Sequence, residues 1–223
     1  MVDSINEKEV FDTLRNKLST PVVCDTLDML GVREQGMRAE IRPIYQEAIV
    51  VGRAHPVLAV DIYNVADESF DKINNVIESL KTNDVLIIGG SSSMRSALFG
   101  ELLSTAAQVR GASGLVCNGA LRDVGQIADL KFPTFAAGVR MSDPIGRMRI
   151  IDDGCPVNCG GVLVKPGDIV FGDMNGVVVI PKELVREVIP LALKRVADED
   201  LVRSKLLKGE KLQRAFDAVF KHE

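Results

Sequence analysis

Two short, almost wholly apolar runs constrain this chain more than any other feature: Asp84-Val-Leu-Ile-Ile-Gly-Gly90 and Gly114-Leu-Val-Cys-Asn118. A run with no polar alternation has no face to present to water. Each therefore reads as a buried strand, and the first feeds a glycine-opened loop. Between them, Glu101 to Arg110 places Leu102, Leu103, Ala106 and Ala107 on one helical face and stops at Gly111. Asp123 to Leu130 reads as a further short helix and Pro133 to Gly138 as a further strand. Strand and helix thus alternate through the middle of the chain, the pattern of an α/β domain.

The flanks extend this reading. Glu7 to Leu18 carries Val10, Phe11, Leu14 and Leu18 at helical spacing, and Pro21 suits the first turn of a second helix ending at Leu30-Gly31. Glu47 to Gly52 and His55 to Asp61 read as two short strands. Glu68 to Leu80 reads as a helix marked by Phe70, Ile73, Ile77 and Leu80, and the small, polar Ser91 to Gly100 as a loop. Ile150 to Pro181 is all strand and turn, punctuated by Lys165-Pro-Gly-Asp and Asp173-Met-Asn-Gly. From Lys182 onward the chain is helical and charged, with a kink or restart predicted at Pro190. The expectation is one α/β domain over residues 1–223, with mixed sheets flanked by helices, N-terminal helices in 1–31 and a helical tail in 182–223.

Composition excludes several classes. An apolar fraction of 46% over 223 residues is enough for a proper core. Lys and Arg number 27 against 31 Asp and Glu, a net charge of −4, so no basic excess exists to neutralise nucleic-acid phosphates. There is no Trp and only two Tyr to stack on bases. Four cysteines are too few for a disulfide scaffold. The first residues do not form a basic-then-apolar leader, and no apolar run approaches the ~20 residues that span a bilayer. The expected setting is soluble, reducing and cytoplasmic, without membrane or direct nucleic-acid partners.

Familiar chemistries are excluded in turn. The two histidines, His55 and His222, have no Gly-x-Ser-x-Gly elbow to serve. Cys155 and Cys159 lack a second Cys/His pair for zinc and read as two small buried side chains. Gly89-Gly-Ser-Ser-Ser-Met-Arg lacks the Lys-Ser/Thr of a phosphate loop. What remains is a helix opening at Gly100-Glu101-Leu102-Leu103, and Arg122-Asp123 where a strand runs into a helix. Free amides at a helix start suit a small carboxylate. Asp offers a hard oxygen to a cation such as Mg²⁺, and Arg a planar charge to an anionic oxygen. Taken alone, Arg-Asp at a helix start reads as a cap plus a surface charge.

Longer stretches carry a resemblance. Gly89-Gly-Ser-Ser-Ser-Met-Arg-Ser-Ala-Leu-Phe-Gly-Glu-Leu-Leu103, Gly114-Leu-Val-Cys-Asn-Gly-Ala-Leu-Arg-Asp-Val124 and Phe132-Pro-Thr-Phe-Ala-Ala-Gly138 resemble the RraA-like family. So do Asn158-Cys-Gly-Gly-Val162 and the stretch from Lys165-Pro-Gly-Asp to Pro181. This family includes the 4-hydroxy-4-methyl-2-oxoglutarate / 4-carboxy-4-hydroxy-2-oxoadipate aldolases. Its acid, twenty residues, then Arg-Asp is matched by Glu101 and Arg122-Asp123, with Glu where many members have Asp.

The resemblance implies a swivelling-type β/α sandwich assembled as a homotrimer or hexamer. It also implies metal-dependent cleavage of a small 4-hydroxy-2-oxo acid to pyruvate, with oxaloacetate decarboxylation as a side activity and no Schiff-base lysine. Asp123 would ligate Mg²⁺ or Mn²⁺ directly, and Arg122 would hold the keto or enolate oxygen. Gly100, Glu101, Leu102 and Leu103 would line the pyruvate moiety through backbone N–H groups. Glu101 would reach the metal through water, as would Glu199 from a neighbouring subunit's C-terminal helix. The family also contains members that bind and inhibit an RNA-degrading endonuclease, so a non-catalytic regulator is the rival reading. A sugar-acid or other 2-oxo-acid lyase is a third. The intact acid and Arg-Asp set and the long tail favour the enzyme.

Overall fold

The computed structural model describes residues 6–64 and 71–220. In chain order its strands are β1 (Arg42–Pro43), β2 (Val50–Asp61), β3 (Asp84–Gly90), β4 (Ala97–Phe99), β5 (Gly114–Leu121), β6 (Thr134–Val139), β7 (Met148–Asp153), β8 (Val157–Cys159), β9 (Val162–Val164), β10 (Ile169–Asp173) and β11 (Gly176–Ile180). The helices are α1 (Glu7–Lys17), α2 (Thr20–Met29), α3 (Asp71–Ser79), α4 (Glu101–Val109), α5 (Val124–Asp129), α6 (Val185–Leu207) and α7 (Leu212–Phe220), with one 3₁₀ turn at Lys182–Leu184.

The two apolar runs lie side by side, β3 and β5 pairing in parallel with Leu86 opposite Leu115. They sit within a nine-stranded mixed sheet of order β1-β6-β5-β3-β2-β10-β11, with β4 added to β5 and β7 to β2. The central four, β2, β3, β5 and β6, are parallel, and the outer pairings are antiparallel. Residues 35–43 bridge the outer strands. The Met37 N–H donates to the Val177 carbonyl (2.8 Å) and the Val179 N–H to Gln35 (3.0 Å), after which Arg42 and Pro43 pair with Ala136 and Phe135. One stretch of chain therefore nearly closes the sheet.

Side-chain alternation explains why both faces of the sheet are apolar. Val50, Val85, Val116, Val170 and Val179 point inward, where they pack with the β8–β9 hairpin. Their neighbours Leu86 and Leu115 point outward against α3, α4 and α5. Val51, Ile169, Val178 and Ile180 point outward against α1, α2 and the start of α6. Each fully buried aliphatic side chain contributes about 1.5–3 kcal/mol.

The expected α/β architecture, with a mixed sheet flanked by helices and a helical tail, is what is observed. Four local readings differ. Residues 47–61 were expected to form two strands, but Val50–Asp61 is one. Its Pro56 falls between β10, which pairs as far as Arg53, and β7, which begins at Val57, so no ladder donor is lost there. The Ser91–Gly100 loop contains β4, whose Ala97 and Phe99 pair with Ala120 and Leu121. Leu102, expected on the packed face of α4, is exposed (79%). Helix α6 continues through Pro190 without a restart, and the tail turns at Gly209, whose φ of +83° favours glycine. The expected start of α3 at Glu68 and Phe70 lies outside the described residues. Among the described residues no helix is long and apolar enough to cross a membrane.

Candidate active site

Two strand-to-helix junctions stand next to each other because β4 and β5 pair in parallel at their ends. Phe99 ends β4 and Gly100 opens α4; Leu121 ends β5, and Arg122-Asp123 opens α5. The Arg122 N–H donates to the Phe99 carbonyl (3.1 Å), fixing the second junction against the first. Residues 22 and 23 positions apart in sequence thus meet at the carboxyl end of the sheet, the usual place for a site in an open α/β fold.

Asp123 does not behave as a cap. It occupies the N-cap position of α5 with a left-handed backbone (φ +57°, ψ 34°), and its side chain makes no bond to that helix. Such a conformation costs an L-residue about 1–2 kcal/mol, less for Asp. It aims the carboxylate across the gap. There Oδ2 accepts the Glu101 N–H (3.3 Å) and lies 3.6 Å from Arg122 Nε. Gly100 makes room for it: a Cβ there would lie 2.5 Å from Asp123 Oδ2 and 3.1 Å from Arg122 Cγ. Glycine is needed here for close approach, since its φ of −153° is open to any residue.

The side chains of Arg122 and Asp123 are 39% and 40% exposed, so solvent and ions reach both. They open into a cavity of about 290 Å³, shared with Gly100, Leu102 and Leu103 of the expected set. Glu101 contributes differently. It gives its amide to Asp123, while its carboxylate turns along α4 and accepts the Thr105 hydroxyl (2.8 Å). Glu199 is elsewhere in the chain, on α6, paired with Arg195 (3.2 Å) and lining a separate groove of about 560 Å³ between α6 and α7. Asn74 of α3, Phe99 and Pro144 also line the Arg122–Asp123 cavity. None of these carried a sequence signal, because a three-residue strand shows no period and Asn74 is one exposed position on an amphipathic helix.

The residues present fit a hard divalent cation. Asp123 Oδ1 has no protein partner among the described residues, so one exposed carboxylate oxygen is available, enough for an ion such as Mg²⁺ that keeps most of its waters. Among the described residues no three His, Cys, Asp or Glu side chains form a metal-holding group, so the donor set does not suit an all-protein cage. Of the C-x3-C pair, Cys159 is buried and Cys155 half-buried. Burial pushes the Cys159 thiol well above its usual range, as expected of an inert core cysteine.

The chain is 28% identical over 210 residues to protein DlpA of Legionella pneumophila, covering 92% of this chain and 34% of that one. It is 29% identical over 194 residues, 85% of each chain, to a protein of Halalkalibacterium halodurans named "Putative 4-hydroxy-4-methyl-2-oxoglutarate aldolase". The chain thus spans about a third of the first relative's length and most of the second's. Its fold superposes on Streptomyces coelicolor RraAS2, described as an unusual member of the RNase ES inhibitor RraA protein family. That match has a TM-score of 0.78 and 24% identity over 87% of this chain and 96% of that one. The RraA-like family model (Aldolase/RraA) matches residues 20–179, nearly the whole sheet and both junctions, and the chain belongs to that family.

Proposed function

We propose that the protein is a divalent-metal-dependent carbon–carbon lyase. It releases pyruvate from 4-hydroxy-4-methyl-2-oxoglutarate or a related 4-hydroxy-2-oxo acid, and it decarboxylates oxaloacetate as a side reaction. The observation behind this reading is the meeting of the α4 amides, Arg122 and the exposed Asp123 carboxylate at one cavity.

The amides of Leu102 and Leu103, in the first turn of α4, have no intrahelical acceptor and seat the substrate carboxylate. The Glu101 amide is already used, holding Asp123 in place. Arg122 faces the 2-oxo group. As the C3–C4 bond breaks, its electron pair passes to C3 and negative charge gathers on the C2 oxygen. The guanidinium therefore binds the enolate more strongly than the ketone, and that difference accelerates the step. Asp123 would hold the cation, whose contribution when bound is Lewis-acid polarisation of the 2-oxo group. Glu101, anchored by Thr105, orients a water that accepts the C4 hydroxyl proton. In a homotrimer or hexamer, Glu199 of a neighbouring copy would add a carboxylate to the same water network. Among the described residues no lysine lines the cavity, and none is needed.

An assay coupled to lactate dehydrogenase, run across a panel of 2-oxo acids, tests this. EDTA should abolish pyruvate release and Mg²⁺ or Mn²⁺ should restore it; turnover that survives chelation contradicts the proposal. Absence of lyase turnover together with capture of an RNA-degrading endonuclease would support the regulator instead.

A further inference from the structure

Two asparagines in this chain are followed by glycine, at Asn118-Gly119 and Asn175-Gly176. An Asn side chain is open to attack by the backbone nitrogen of the next residue, and glycine leaves that nitrogen unshielded. The fold treats the two pairs differently. Asn118 lies within β5 and is 3% exposed. Its Oδ1 accepts from the Arg38 guanidinium (3.0 Å) and from the Gly160 N–H (2.8 Å), and its Nδ2 donates to the Gly90 carbonyl (3.5 Å). The Gly119 N–H is held as well, donating to Cys117 Sγ (3.4 Å). Side chain and nucleophile are therefore fixed, and water is kept away.

Asn175 stands at the tip of the β10–β11 hairpin, one of two exposed turn residues between Asp173 and Gly176. Its side chain makes one hydrogen bond among the described residues, from Nδ2 to Asp173 Oδ1 (3.1 Å), in an exposed setting. Gly176 is uncrowded: beyond its chain neighbours, no atom of a described residue comes within 4 Å of where a Cβ would stand. The backbone carbonyl of Asn175 accepts from Arg42 Nη1 (2.8 Å).

We infer that Asn175-Gly176 is a self-modifying site, which closes to a succinimide and opens to isoaspartate under the direction of Arg42. The Gly176 nitrogen attacks Asn175 Cγ, its proton passes to the departing amide nitrogen, and ammonia leaves. Water then adds to one of the two ring carbonyls. Addition at the former backbone carbonyl leaves Gly176 joined through Cγ, which is isoaspartate; addition at Cγ gives aspartate. Arg42 already holds the former backbone carbonyl, where its charge draws electron density from that carbon and pairs with the carboxylate that forms. Either product removes the Nδ2 donor from Asp173 and adds a negative charge to the turn. Asp173 holds the start of α2 through the Thr20 N–H (3.0 Å) and hydroxyl (2.7 Å), so the modification loosens that attachment.

The test incubates the full chain in mildly alkaline buffer and follows residues 118 and 175 by peptide mapping, beside a urea-unfolded sample. In the folded chain Asn175 should convert at least tenfold faster than Asn118, and unfolding should bring the two rates together. Asn175→Gln, whose longer side chain closes no five-membered ring, should stay unmodified and keep its urea midpoint while that of the incubated wild type falls. Arg42→Gln should lower the ratio of isoaspartate to aspartate at least twofold. Equal folded-state rates at 118 and 175, or conversion of 175 only after unfolding, would overturn the site. A product ratio indifferent to Arg42→Gln would overturn the direction of ring opening, and an unchanged midpoint in converted protein would overturn the effect on α2.

Discussion

Two aspartates in this protein stand beside arginines, at opposite ends of the parallel strands, and they have opposite characters. Asp84, at the start of β3, is 7% exposed. Its Oδ2 accepts the Lys81 N–H (2.9 Å) and lies 3.6 Å from His55 Nδ1, while Oδ1 is 3.6 Å from Arg53 Nε. Arg53 is itself tied to Glu7 and to the Thr82 carbonyl. Asp123, past the end of β5, holds one amide and one guanidinium through a single oxygen and leaves the other open. Proximity to Arg does not distinguish a carboxylate open to a ligand from a structural one. Burial and saturation of its oxygens do.

The sharpest way to break this comparison is to remove each carboxylate. Asp123→Ala should lower kcat/KM for pyruvate release at least a thousandfold, about 4 kcal/mol in transition-state stabilisation. Its unfolding free energy should stay within about 0.5 kcal/mol, because the site is exposed. A variant that loses stability but keeps activity would exchange the roles assigned to the two aspartates. Next, Gly100→Ala should cost roughly a hundredfold in activity, the scale at which small misplacement is felt. The added Cβ must displace Asp123 Oδ2, and circular dichroism and the urea midpoint should register little change.

Asp84→Ala should give the converse result. It removes a buried acceptor from Lys81, His55 and Arg53 and should destabilise the fold by about 2 kcal/mol, read from urea unfolding. Metal-dependent activity of the folded fraction should be retained.

The smallest effect concerns pH. Burial works against the charge on Asp84, yet the nearby His55 ring, the Lys81 N–H and the Arg53 charge outweigh it and hold the carboxyl below its usual range. A depressed folded-state value stabilises the fold above the unfolded carboxyl's pKa of about 3.9 and is lost as pH falls below it. The stability gap between wild type and Asp84→Asn should therefore be constant from pH 7 to about pH 5 and close progressively below about pH 4. A gap that widened on acidification would reverse the sign of this coupling.

Much of this was legible in the amino-acid order. The apolar runs at 84–90 and 114–118 marked the centre of the sheet, since nothing polar interrupts them. The junctions at Gly100-Glu101 and Arg122-Asp123 stood out because each follows a strand and opens a helix. What the sequence hid was pairing. β4 is too short to show alternation, yet it brings the two junctions together. Gly52 looked like the end of one strand, yet Arg53 and Ala54 continue the ladder alongside β3 into the second expected strand. Asp123 resembled a cap until its backbone angles turned its side chain away from its own helix.

The bridging stretch at residues 35–43 has a consequence for colloidal behaviour. Open sheet margins present rows of unsatisfied main-chain groups that recruit strands from other molecules. Here one short segment lies along β11 and then pairs with β6, so both margins are shielded by the same few residues. A single proteolytic nick within it would bare two sticky borders together, and clumping of otherwise intact chains should follow cleavage there sooner than cleavage in the C-terminal helices.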